Sequence, residues 1–185
     1  RNTKMSWFPY GLRFVATVAG ERFAGSIPSP ERADLLAAYS LRLNDPDPLI
    51  HMPAAHQWCA YEGSCSTLLP NASTAAHFSE DIVALGLARI EAHYFANNIF
   101  LPDNSLLDNA WKLRSIPGII VQGRYDMVCP IISADDLHRM WPEAQYTIVP
   151  DAGHSWGRPG IARELLAAVR RMQQRLCAQG LSPYR

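Results

Sequence analysis

The chain has 185 residues, 48% hydrophobic and 18% charged, enough for one domain of ordinary size with a core of its own. Lys plus Arg equals Asp plus Glu at 17 each, so no net charge recruits nucleic acid or an anionic membrane. No apolar run approaches the ~20 residues of a membrane span, and the start at Arg1 shows no signal-peptide pattern, so the chain is read as a fragment of a longer protein.

The four cysteines, Cys59, Cys65, Cys129 and Cys177, form no C-x-x-C pair. They are expected to be buried free thiols in a reducing, cytoplasmic compartment. The histidines do not stand with cysteines at zinc spacing, so no metal is expected. Asn71-Ala72-Ser73 fits a glycosylation sequon, a triplet common by chance.

In chain order, residues 1–20 give no clear element. A helix is predicted over 31–43, where Leu35, Leu36, Tyr39 and Leu43 recur at helical spacing after Pro30. A second is predicted over 53–62, with Pro53 in its first turn. The third and strongest runs over 80–97, with Ser79 as N-cap and Val83, Leu87, Ile90 and Tyr94 on one face. Loops are marked by Asn44-Asp45-Pro46-Asp47-Pro48 and Leu69-Pro70-Asn71. Near residue 115 the composition changes. A strand at 118–122, a helix at 131–140, a strand at 145–149 and a helix at 160–177 follow, the last with Leu165, Leu166, Val169, Met172 and Leu176 on its inner face. This divides the chain into a mostly helical region, 1–114, and a βαβα region, 115–185. Two parallel strands alone leave a raw edge and an uncovered face.

Functional groups in open α/β sheets sit on loops at the carboxyl ends of strands. Asp126, in Gly123-Arg124-Tyr125-Asp126, and His154, in Asp151-Ala152-Gly153-His154-Ser155, both occupy such loops. Alone, the Asp is a turn residue and the His polar surface. Jointly they are the acid and base of a nucleophile–base–acid triad in the order of α/β-hydrolases, Ser, then Asp, then His. No convincing nucleophile lies upstream. Gly153-His154-Ser155-Trp156-Gly157 does fit G-x-S-x-G, but no Asp or His follows Ser155 and His154 is too close in sequence to align with it. The motif is set aside.

In the helical region Glu62 and Glu91 border apolar, aromatic helix faces. The plainer reading is a flank carboxylate reaching solvent or pairing with Arg89 or a lysine. The functional reading is a pair of acids that receives a cation such as a substrate ammonium. His56, His93, Asp135 and Asp136 read as structural.

Several segments together carry a resemblance. Ala88-Arg89-Ile90-Glu91-Ala92-His93-Tyr94-Phe95, Trp58-Cys59-Ala60-Tyr61-Glu62-Gly63, Gly123 to Pro130, Trp141-Pro142-Glu143-Ala144 and Gly153-His154-Ser155 are similar to segments of the proline iminopeptidases of the α/β-hydrolase superfamily. Tyr61 stands where Trp is usual and Gln122 where His is usual. The similarity runs from about Glu21 to near Arg170. It implies the C-terminal part of an α/β-hydrolase fold preceded by a helical cap. It implies Asp126 as triad acid, His154 as triad base, and Glu62 and Glu91 as ligands of the amino group of an N-terminal proline. It implies a peptide substrate with N-terminal proline, no cofactor, and neither nucleic acid nor membrane as partner. The family's serine and oxyanion-hole segments have no counterpart here, so the isolated chain is expected to be inactive. The alternatives are another cap-bearing α/β-hydrolase, such as an esterase or epoxide hydrolase, or a non-catalytic remnant acting as an interaction module. The oligomeric state is not legible.

Overall fold

The structure, a computed structural model, describes residues 11, 16–69, 71–78 and 80–180. It divides into two compact units, residues 1–104 and 105–185.

The first unit is helical. Helix α1 spans Thr17–Gly25, and a 3₁₀ segment, Ser29–Asp34, leads into α2, Leu35–Leu43. The predicted helix over 31–43 is therefore two pieces. Asp34 breaks them by turning out of helical conformation and accepting a hydrogen bond from the Ala37 N–H at 3.0 Å. Helix α3, Pro48–Cys65, starts a turn earlier than predicted. Asp47 caps it, accepting from the Leu49 N–H at 2.8 Å, and Pro48 takes the first-turn position assigned to Pro53, which lies inside the helix. Helix α4 spans Ala72–Phe78 and α5 spans Asp81–Ala96. The predicted N-cap Ser79 lies outside the described residues, as do the first ten residues and residues 12–15.

The core of this unit is aromatic. The Phe23 ring stacks on Tyr39 at 4.3 Å and on Tyr61 at 4.5 Å, with the Trp58 indole edge-on at 5.8 Å. Each such pair contributes about 0.5–1.5 kcal/mol beyond its buried area. Helix α5 packs on α3 through Ala84, Ala88 and Ala92, spaced by four residues and fully buried. The predicted face of α5 needs correction: Ile90 and Tyr94 are exposed and Val83 and Leu87 only half-buried. With Trp58 and Tyr61 filling the space from α3, α5 meets it through its small side chains, which let the backbones approach closely. The Arg89 guanidinium donates through Nε to the Leu43 carbonyl at 2.7 Å, tying α5 to the end of α2. After α5 the chain turns through Asn98, Ile99 and Phe100, three consecutive residues at φ of 53°, 59° and 56°.

The second unit begins with the single helical turn α6, Ser105–Asp108, and a 3₁₀ turn, Ala110–Leu113. Strand β1, Ile119–Gly123, pairs in parallel with β2, Gln145–Val149, in the register Ile119↔Gln145 through Gly123↔Val149. Helix α7, Ile132–Met140, connects them, and α8, Pro159–Ala178, closes the unit. Val121, Val149, Ala152 and Ile161 pack together beneath the strand ends. Gly118 lets the Trp141 indole lie against the start of β1, where any Cβ would strike the ring. The inner face predicted for α8 is also corrected. Ile161 and Ala168 are buried, whereas Leu166 and Val169 are 61% and 65% exposed. Among the described residues the sheet has two strands, too narrow to cover the whole apolar stripe of a 20-residue helix.

Cys59 and Cys65 are buried and Cys129 is half-buried, but Cys177 is exposed, contrary to the expectation of buried thiols. Among the described residues no helix is long and apolar enough to cross a membrane.

Candidate active site

Asp126 follows β1 by a tight turn, and His154 lies in the loop after β2. Register brings the two loops together, since Gly123 and Val149 end paired strands. Two backbone bonds then clasp the loops: the Arg124 N–H donates to Val149 O and the Tyr125 N–H to Ala152 O, each at 2.9 Å. Gly123 is required at this crossing, because a Cβ there would strike the carbonyl oxygen of Gly153.

Asp126 is 8% exposed, and its carboxylate is held at both oxygens. Oδ1 accepts from the Cys129 N–H at 2.7 Å. Oδ2 accepts from His154 Nδ1 at 3.0 Å and from Gln122 Nε2 at 3.2 Å. A carboxylate only accepts, so Nδ1 carries the proton and Nε2 is the nitrogen left to exchange one. The Asp126 hydrogen bond, with a smaller push from the Cys129 side chain, raises the His154 pKa from 6.5 to about 10, against the opposing effect of burial. The same contact stabilises the imidazolium that forms when Nε2 takes up a proton.

Ser155 does not stand at an elbow. Strand β2 ends at Val149 and α8 begins at Pro159, so an extended loop replaces the sharp strand-to-helix turn that exposes a nucleophile.

In the helical unit α3 carries Glu62, one turn beyond Trp58, and α5 carries Glu91. Glu62 is 6% exposed among Trp58, Cys59 and Tyr61, which are fully buried. Glu91 is half-buried and its Oε2 accepts from Trp58 Nε1 at 2.8 Å. Cys59 reports on both acids: burial first, and then the charges of Glu62 and Glu91, push its thiol up to about 12. Two carboxylates from two helices thus bear on one buried thiol. Keeping such groups ionised costs several kcal/mol unless cations or donors compensate. Arg89, the ion-pair partner weighed for Glu91, spends its Nε on Leu43.

Sequence reasoning noted Gln122 only as standing where His is usual and gave it no role, and it missed the bond from Trp58 to Glu91. One signal existed for Gln122, a polar residue closing the apolar run Ile119-Ile120-Val121. For Trp58 there was none, because its partner is set by helix packing. Among the described residues no group of three or more His, Cys, Asp and Glu has the spacing to hold a metal ion.

The parallel β-α-β-α unit with its acid and histidine on successive strand-end loops, preceded by a helical unit, is the C-terminal part of an α/β-hydrolase fold. Within that class the chain is a homologue of the proline iminopeptidases. It is 44% identical to the proline iminopeptidase of Arabidopsis thaliana over 176 residues, 94% of this chain and 46% of that protein. It is 40% identical to that of Xylella fastidiosa (strain 9a5c) over 171 residues, 91% of this chain and 55% of the relative. The match to the Neisseria gonorrhoeae proline iminopeptidase is 36% over 158 residues, 84% and 49% respectively. The chain spans about half the length of the curated relatives it matches. No protein-family model matches it.

Proposed function

We propose that this chain is the part of a serine aminopeptidase that supplies the acid, the base and the amine-binding helical cap for release of an N-terminal proline. The observation that carries the reading is the His154–Asp126 pair, with Nδ1 and Oδ2 at 3.0 Å and both carboxylate oxygens occupied. In this mechanism a serine outside these 185 residues attacks the carbonyl of the first residue. His154 Nε2 takes the serine proton and returns it to the leaving amine, while Asp126 holds the ring and stabilises the imidazolium. Glu62 and Glu91, carried by two packed helices beside a cluster of aromatic rings, take the prolyl ammonium. A requirement for that cation confines cleavage to the first residue. The chain by itself is expected to make no acyl-enzyme, because among the described residues no serine stands at a strand-to-helix elbow.

The test uses the complete enzyme with two arylamides, one of proline and one of N-acetylproline. Release of arylamine from the first and not the second is the expected result. Equal turnover of both, or turnover of neutral aryl esters alone, would replace this reading with that of an esterase.

A further inference from the structure

We propose that Gln122 is the positioning residue of the acid–base pair: its amide nitrogen holds Asp126 Oδ2 toward His154 Nδ1 and anchors the loop that carries the acid. This inference rests on the proposed role of Asp126 and His154 and adds a residue to it.

Gln122 Nε2 has three neighbours at hydrogen-bond range, Asp126 Oδ2 at 3.2 Å, the Cys129 carbonyl at 3.1 Å and the Gly123 carbonyl at 3.4 Å. All three are acceptors, which fixes the orientation of the amide: the nitrogen faces them. One side chain, projecting from the end of β1, thus spans both ends of the Asp126–Cys129 turn. The Cys129 N–H meanwhile fixes Oδ1. With Oδ1 tied below and Oδ2 shared between Gln122 and His154, the carboxylate plane has one setting. Without the amide, Oδ2 keeps only the histidine, which lies on a separate loop, and the plane is free to rotate about Oδ1.

Gln122 is half-buried, touches no reacting atom in the mechanism above, and acts through Asp126. The test must therefore read the histidine and not only the fold. The 185-residue chain, labelled with ¹⁵N at histidine, is titrated by NMR, and the Nδ1 proton of His154 and its midpoint are followed. In Gln122→Leu the Nδ1 proton exchanges faster, and the midpoint falls from near 10 toward the ordinary imidazole value by about one unit or more. Gln122→His keeps a donor at this position and restores both readouts. An unchanged midpoint and Nδ1 proton in Gln122→Leu would overturn the proposal and leave Gln122 a packing residue. A raised midpoint would also overturn it, since the amide would then only draw charge off Asp126. If Gln122→Leu fails to fold, Gln122→Glu reads the same proton without loss of volume, and an unaltered Nδ1 proton there likewise overturns the proposal. A wild-type His154 whose Nδ1 carries no protected proton defeats the acid–base reading itself, whatever the variants do.

Discussion

Glu62 and Glu91 are placed by helix packing: two helices, an alanine face and a shared set of aromatic rings fix where the acids lie. Asp126 and His154 are placed by strand register and a clasp of two backbone bonds. One unit sets two acids against a hydrophobic cluster, where the proposed function has them receive a cation. The other holds a proton on a partly open ring, where it can be exchanged. On the proposed reading, packing serves recognition, which needs two acids held in place, and loops serve proton transfer, which needs one nitrogen left free.

The sharpest way to break this contrast is His154→Ala in the complete enzyme. Turnover of a prolyl arylamide should fall by about four orders of magnitude, with a loss of stability at neutral pH of only on the order of 1 kcal/mol. Full activity would remove His154 from the chemistry. Next comes Glu91→Gln, which retains an acceptor for Trp58 and deletes only the charge. It should cost about 2–5 kcal/mol of transition-state stabilisation on the prolyl arylamide and almost nothing on a neutral aryl ester. Equal losses on both substrates would make Glu91 a structural residue, and the two units would then not differ in the way described.

A smaller effect is expected from Gly123→Ala. The added methyl strikes the Gly153 carbonyl, so the clasp between the loops must open, at about 1–3 kcal/mol. Hydrogen exchange should rise in residues 119–154 and not in α3 or α5; a uniform rise would deny that the two units are stabilised separately.

The smallest effect concerns pH. The folded-state pKa of His154 lies above its unfolded value, so the stability from its pairing is complete below 6.5 and is lost as pH rises through about 10. The His154 side chain is 37% exposed, and solvent screening reduces this to on the order of 1 kcal/mol. Urea midpoints of the wild type and His154→Ala, compared from pH 6 to 10.5, should converge at the alkaline end. A gap that widens there would reverse the sign of the coupling.

How much of this was legible in the sequence differs between the units for the same reason. Strand β2 was read at its observed bounds and α5, β1, α7 and α8 to within a residue at each end, because each is a run of one periodicity ended by Gly, Pro or a polar cluster. Asp126 and His154 were visible as residues just past strands. The pairing of Glu91 with Trp58 was not, since it depends on which face of α5 meets α3. Hydrophobicity chose Ile90 and Tyr94 for that face, and volume chose the alanines. Leu166 and Val169 misled in the same direction: an apolar stripe says what a helix can bury, and the width of the sheet decides what it does bury.

The turn through Asn98, Ile99 and Phe100 gives a mutational scan one place to run backwards. A β-branched residue in left-handed conformation costs about 1–2 kcal/mol, and glycine there costs little. Substitution by glycine, ordinarily among the worst replacements for isoleucine, should rank near the top at position 99. The half-buried Ile99 side chain returns part of the difference through its contacts, so the net gain shrinks to less than the backbone relief. Selection for thermal tolerance would find in this corner a reserve of stability held entirely by chain geometry, to be drawn without touching an acid, a base or an aromatic ring.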